Sequence, residues 1–261
     1  MGGPVSELEY LSRSHHRINV LRALREPCDR STLRDETGAS KPTLSRVLGD
    51  FEDRAWVTRT SEGYQLTALG ELLERGLDEA VRAIETVEKL APLAQWLPAS
   101  EFDFDLDRLH DATISTPSAS DSLGVHRRLG TVLYDADHVR ELTGMVASSG
   151  IELHERAIEE RGQTLEVILT ADALETIRST PEMVQTSARI VGTDGVSVFR
   201  YDGTVPHFLA IVDGRSLVGV LDGAGTIRGL IESDDPVVCA WADQTFEEYR
   251  SAAVEVASIE E

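Results

Sequence analysis

Four Asp-Gly pairs, at Asp194-Gly195, Asp202-Gly203, Asp213-Gly214 and Asp222-Gly223, divide the later part of the chain into apolar runs too short for helices. Those runs are Val196–Tyr201, Phe208–Val212, Leu217–Leu221 and Ile227–Ile231, each with room for one strand. Asp-Gly between apolar runs favours a tight hairpin, because Gly enters positive φ freely and Asp tolerates it. The spacing therefore predicts an antiparallel meander. Gly223-Ala224-Gly225 joins two of these strands and opens no helix, so it is not a dinucleotide-binding turn.

Ahead of the meander, strand-like and helix-like segments alternate. The order is strand Asp111–Thr116, helix Ser120–His138, strand Leu142–Ala147, helix Gly150–Arg161 and strand Leu165–Thr170. A βαβαβ order predicts a parallel sheet with helices on its faces. Short helices are expected over Ala171–Ser179 and Pro181–Arg189. A last helix, capped at Ser233 or Asp234 and opened by Pro236, buries Val238, Ala242, Phe246, Tyr249 and Ala253. In Glu101–Asp107, Phe or Leu alternates with Asp, which predicts an edge strand with one wet face. The same spacing fails as a calcium loop, since Arg108 stands at the turn-glycine position and Ile114 at the closing glutamate.

The first residues follow a different plan. Ser14 caps a helix in which Ile18, Val20, Leu21 and Leu24 recur, and Pro27 closes it. Ser31 or Thr32 begins a second helix that runs to Thr37, with Gly38 as its left-handed stop. Ser40 caps a third, whose Leu44, Val47, Leu48 and Phe51 form one buried stripe. Strands Trp56–Thr60 and Tyr64–Thr67 flank the turn Ser61-Glu62-Gly63 as a hairpin. On the third helix, Pro42, Arg46 and Gly49 point away from the stripe, with Lys41, Thr43 and Ser45 beside them. Small and cationic residues there suit a helix laid in the major groove. Arg46 can bridge a guanine, Ser40, Lys41 and Thr43 can meet phosphate at the helix start, and Arg59 can touch the backbone from the hairpin.

Charge supports the same division. The net charge is -21, and Lys41 and Lys89 are the only lysines, against 23 arginines. Met1 to Leu66 holds ten basic and ten acidic residues, so the whole excess lies beyond it. The neutral module is the part able to approach a polyanion. Such acidity favours a chain that works in concentrated salt, and the composition resembles proteins of haloarchaea.

Thr67 caps a long helix along which Leu69, Leu72, Leu73, Gly76, Leu77, Ala80, Val81, Ile84 and Val87 keep period until Pro92. At 1.5 Å per residue it spans roughly 36 Å, more than the first module can cover. Either a second copy or the C-terminal domain takes the rest. The domain plan is then 1–66 for the DNA-binding module, 67–98 for a connector and dimerisation helix, and 99–261 for an α/β effector-sensing domain. The expected fold class is an α+β winged helix-turn-helix followed by an α/β domain, with a βαβαβ parallel sheet, a meander and a C-terminal helix.

Several classes are disfavoured. Cys28 and Cys239 stand alone, with too few partners for a disulfide framework or a structural zinc site. No apolar run reaches the ~18–20 residues that span a bilayer, and no signal-peptide core opens the chain, so a cytoplasmic protein is expected. No nucleophile triad, histidine cluster or phosphate loop is found, and neither a cofactor nor a metal is expected. The effector candidates are His126, Arg127 and Arg128 on the helix after the first strand, and Arg200, Tyr201 and His207 by the meander turns. These arginines would suit an anionic small molecule.

Two stretches resemble known families. "HHRINVLRALREPCDRSTLRDETGASKPTLSRVLGDFEDRAWVTRTSEGYQLTALG", His15 to Gly70, resembles archaeal winged-helix regulators of the ArsR/MarR-like type, with Glu62 where that pattern has a basic wing tip. "HFLAIVDGRSLVGVLDGAGTIRGLIESDDPVVCAWADQTFEEYR" resembles the ligand domain of FilR-type archaeal regulators, a likeness extending over Asp111 to Ala253. The resemblance implies a homodimeric regulator of transcription bound to double-stranded, palindromic DNA. Pro206–Gly214 also resembles the HxKxxxxD motif of phospholipase D-like enzymes, but Leu209 replaces the lysine and Asp213 falls one residue early. A degenerate phosphodiesterase is therefore a minor alternative, and a C-terminal domain that only oligomerises or recruits protein is the other. No enzymatic activity is expected.

Overall fold

The computed structural model describes residues 3–259, which fall into two units, one ending at Ala83 and the other beginning at Ile84. In the first, α1 (Pro4–Ser12), α2 (His15–Ala23), α3 (Arg30–Thr37) and α4 (Lys41–Asp53) precede a hairpin of β1 (Val57–Thr60) and β2 (Gly63–Leu66). Helix α5 (Ala68–Leu90) then carries the chain into the second unit. The buried stripe of α4 is Leu44, Val47, Leu48 and Phe51, and it packs with Val20, Leu21, Leu24 and Leu33.

Local chemistry fixes these boundaries. Gly38 ends α3 at φ 62°, and the Ser40 side chain accepts the Thr43 N–H at the start of α4. The cap of α3 is Asp29 rather than Ser31 or Thr32: its carboxylate accepts both of their backbone N–H groups, so those residues lie inside the first turn. Helix α1 lies ahead of the helices that the sequence pattern predicts. Its Leu11 is buried, and its Tyr10 sets a ring edge on Phe51 and donates its hydroxyl to Asp50.

Two glycines hold the hairpin in place. Cys28 exchanges both backbone hydrogen bonds with Tyr64, and a side chain on Gly63 would run into the Cys28 carbonyl. Thr67 caps α5 through the Gly70 N–H, and a Cβ on Gly70 would overlap the Trp56 carbonyl oxygen. The Leu-Thr-x-x-Gly sequence is thus the joint between hairpin and helix.

The second unit is built on one eight-stranded mixed sheet. Its strands are β3 (Thr113–Ser115), β4 (His138–Thr143), β5 (Thr164–Thr170), β6 (Val196–Tyr201), β7 (Phe208–Val212), β8 (Arg215–Leu221), β9 (Ile227–Ser233) and β10 (Val254–Glu255), in the order β10-β6-β5-β4-β7-β8-β9-β3. The parallel part is β4-β5-β6, and every other pairing is antiparallel.

This arrangement corrects the expected one in three respects. The first strand does not join the parallel set. Only three residues long, with Ile114 as its one large apolar side chain, β3 closes the edge of β9 while longer apolar strands take the centre. The second strand is His138–Thr143, because the run expected at Leu142–Ala147 leaves the sheet after Thr143. The meander holds three strands and not four, since α8 (Ala171–Arg178) and α9 (Pro181–Ile190) form a crossover that returns β6 parallel to β5.

Each sheet face has its own cover. Leu142, Ile168, Phe199, Leu209 and Val218 pack against Val238, Ala242 and Phe246 of α10 (Pro236–Ala252). Asp235 caps α10 with its carboxylate, in place of Ser233 or Asp234. The Glu101–Asp107 segment is not a strand. It is bounded by single 3₁₀ turns, and Phe102 and Phe104 stack 4.9 Å apart and meet Trp241 edge-on. Val139, Leu165, Phe208, Ala210 and Leu217 form the opposite face, under α6 (Gly124–Asp135) and α7 (Ser148–Arg161). Among the described residues no helix is long and apolar enough to cross a membrane.

Candidate nucleic-acid interface and interior cavity

The outward face of α4 follows from its buried one. With Leu44, Val47, Leu48 and Phe51 turned inward, Ser40, Lys41, Pro42, Ser45 and Arg46 are exposed and Thr43 and Gly49 half-buried. Ser40 accepts the Thr43 N–H and its hydroxyl lies 2.9 Å from that of Thr43, so the first turn is closed upon itself. Pro42 has no N–H to offer. The positive group this end offers is the Lys41 ammonium rather than a row of free amides.

Charge pairing separates this face from most of the second unit. Among the described residues Lys41, Arg46 and Arg59 form no ion pair, and Arg59 rests 5.8 Å from the Tyr64 ring centre. Arg30, which the sequence reading overlooked, donates two hydrogen bonds to the Tyr64 hydroxyl at 2.7 and 3.0 Å without meeting a carboxylate. Its only sequence signal is its place just after the Asp29 cap. In the second unit guanidinium groups are mostly bound to acids, as in Arg140–Asp243, Arg189–Glu155, Arg228–Asp222 and Arg250–Glu166.

The six effector candidates do not converge on one site. Exposed Arg127 pairs with Asp121, and Arg200 pairs with Asp202 at 2.9 Å. Arg128 grips both oxygens of the buried Glu232 carboxylate at 2.8 and 2.7 Å. Tyr201 packs edge-on against Tyr249. His207, at the motif histidine position, is only 1% exposed and lies 5.7 Å from the Trp241 ring, with both nitrogens unpartnered among the described residues. Burial pushes its pKa down to about 4. Arg127 lines an open groove between α6 and α7, and His126 alone of the six lines the cavity between these helices and the sheet.

That cavity, of about 490 Å³, lies between the sheet and helices α6, α7 and α9. Leu133, Met145, Leu153, Val167, Leu169 and Phe208 give it a largely apolar wall. Into it the alternation of β4 (Val139, Glu141, Thr143) sends a carboxylate. Glu141 Oε2 lies 3.3 Å from His154 Nε2, and His154 Nδ1 lies 3.0 Å from Gln163 Oε1. Gln163 gives its amide hydrogens to the Leu133 and Ala136 carbonyls, which can only accept, so its oxygen must face His154. The Nδ1 therefore carries a proton, and the Nε2–Glu141 contact holds one more. Burial opposes charge on His154, but Glu141 and then Gln163 outweigh it and hold the imidazole above its ordinary range. A carboxylate at an inward strand position is the signal that locates this site in the sequence; an assignment of the strand to Leu142–Ala147 leaves Glu141 out.

Among the described residues no group of three or more His, Cys, Asp or Glu side chains is placed to hold a metal ion. No curated protein matches the chain. Among solved structures, TrmBL2, an archaeal chromatin protein, is 14% identical with a TM-score of 0.42, covering 95% of this chain and 98% of its own. The phospholipase D family member Nuc from Salmonella typhimurium is 11% identical with a TM-score of 0.43, covering 57% of this chain and 100% of its own. NucT from Helicobacter pylori is 12% identical with a TM-score of 0.44, covering 56% and 99%. At these values the likenesses carry no inference about activity. The family assignments are more specific. Residues 5–89 match the HVO_A0261 N-terminal domain, and residues 123–252 match the middle domain of the methanogenesis regulatory protein FilR1. The chain thus carries an HVO_A0261-type N-terminal domain followed by a FilR1-type middle domain.

Proposed function

We propose that this protein is a sequence-specific, double-stranded-DNA-binding regulator of transcription whose second unit senses a small molecule. The carrying observation is the exposed face of α4, where Lys41 and Arg46 stay unpaired among the described residues of a protein with net charge -21. In this reading α4 lies in the major groove of a winged helix-turn-helix, with Pro42, Ser45 and Gly49 small enough to let the helix approach base edges. Arg46 reads a base, Lys41 meets phosphate, and Arg59 with Arg30 holds the backbone beside the hairpin. The regulatory protein FilR1, whose middle domain this chain shares, supports control of genes as the outcome.

The protein acts as a homodimer on a palindromic site. Leu69, Leu72, Ile84 and Val87 are exposed along α5, a hydrophobic series for which a second copy supplies the cover. Leu73 and Leu77, by contrast, pack against the core of the first unit. The acidity suits a cell of high internal salt, where screening removes long-range repulsion from DNA.

Mapping the genomic sites bound by the tagged protein tests this reading and supplies a cognate duplex. Arg46→Ala should then weaken the cognate duplex by about 1–3 kcal/mol while a scrambled duplex binds as before. Equal discrimination by parent and variant would remove α4 from its assigned role.

A further inference from the structure

We propose that the cavity between the sheet and α6, α7 and α9 binds one apolar small molecule through a hydrogen-bond-donating head that meets Glu141. The proposal rests on the reading of the second unit as a sensor, and it adds the site and the chemistry of the ligand. A volume of about 490 Å³ falls within the ~300–1,000 Å³ typical of small-molecule sites and is too small for a folded partner. Leu133, Met145, Leu153, Val167 and Phe208 supply the contact surface for an apolar body.

The polar end is built for a donor. Glu141 is 9% exposed and accepts a single hydrogen bond among the described residues, from His154, which leaves Oε1 without a protein partner. A carboxylate ligand would place like charge beside it in a low-dielectric wall. The guanidinium groups nearest in sequence to the lining residue His126 are committed elsewhere, Arg127 to Asp121 and Arg128 to Glu232, and neither lines the cavity. The titratable lining residues are His126 on α6, Glu141 on β4 and His154 on α7, with none from α9.

The shared proton gives the site a signature. An ammonium head would take over the charge of Glu141, and the proton on His154 Nε2 would pass to solvent, so the cavity keeps its net charge. A hydroxyl head would donate to Oε1 and release nothing. Three probes with one apolar body separate these cases: tryptamine, tryptophol and indole-3-propionate, titrated calorimetrically into the full-length protein in buffers of different ionisation enthalpy.

Tryptamine and tryptophol should bind one per chain. Indole-3-propionate should bind at least roughly tenfold more weakly, the scale of one lost charge-assisted hydrogen bond. Tryptamine should release close to one proton and tryptophol none. Glu141→Gln should weaken tryptamine selectively and abolish the proton release, while Val167→Phe, which fills the cavity, should abolish binding of both. Circular dichroism checks that each variant is folded. Absence of binding by all three probes at millimolar concentration, equal affinity for the three heads, or unaltered binding to Val167→Phe would each overturn the proposal. Duplex binding is measured separately: its loss with probe binding intact refutes the regulator reading alone, and the reverse refutes the cavity alone.

Discussion

His207 places a titratable ring in the interior, where no partner among the described residues stabilises its charge. Its two buried nitrogens meet no hydrogen-bond partner among the described residues, and burial pushes its pKa from an ordinary 6.5 down to about 4. A base with a depressed native pKa is protonated more readily in the unfolded chain. Stability is therefore undiminished above about pH 6.5 and falls as the pH drops toward 4. Linkage with those two values gives a loss of about 2 kcal/mol by pH 5 and about 3 kcal/mol by pH 4. Other groups titrate in the same range, so the quantity to measure is a difference. Urea unfolding of the parent and of His207→Phe, followed by tryptophan fluorescence from pH 7.5 to 4, isolates the histidine. At pH 7.5 the variant should be at least as stable as the parent, because it removes two unsatisfied nitrogens. Its advantage should widen by about 3 kcal/mol at pH 4. Parallel pH profiles, with a constant gap, would refute the assignment of His207 as a neutral buried ring. His154 does not confuse the result: its raised pKa gives stability that is full below 6.5 and lost only as the pH climbs through its native value.

Further outcomes follow from particular contacts. Arg128→Ala strands the buried Glu232 carboxylate and should cost about 2–3 kcal/mol in chemical unfolding, less than the ~3–5 of a fully buried pair because Arg128 is partly hydrated; Glu232→Gln in the same chain should recover most of it. Gly70→Ala drives a methyl group into the Trp56 carbonyl and should lower stability by about 3 kcal/mol, seen as a fall in Tm. Leu72→Asp with Val87→Asp should shift sedimentation velocity from dimer to monomer, whereas Leu73→Asp should unfold the first unit instead.

The sequence is most legible where a local rule decides the structure. Gly38 and Ser40 set the turn before α4, the period of Leu44, Val47, Leu48 and Phe51 sets its inner face, and Arg46 is on the outer face by subtraction. The sequence delimits the strands Val196–Tyr201 and Phe208–Val212 to the residue, because Asp-Gly stands at both ends of the first and after the second, and Pro206 stands just before the second. Strand partnership is another matter. β6 is bounded like its neighbours by Asp194-Gly195 and Asp202-Gly203, yet it pairs with β5 across a crossover, a choice made by packing between residues distant in sequence.

The cavity site was hidden for the same reason. The hydrogen-bonded chain at its polar end, Glu141, His154 and Gln163, draws on a strand, a helix and the turn that follows it, and no spacing rule links them. They meet because β4 and β5 are parallel and α7 must recross the sheet between them, which brings Gln163 back beneath the carbonyls of Leu133 and Ala136. The arginines that the sequence offers as anion ligands are visible for the opposite reason. Long cationic side chains on an acidic surface find nearby carboxylates first, as Arg127 finds Asp121 and Arg200 finds Asp202, and are then no longer free to read a ligand. The useful distinction in a chain of this composition is between charges that are matched and charges that are left over. By that measure the cations of α4 stand out, and Glu141 stands out differently, as a buried carboxylate with one oxygen facing the cavity.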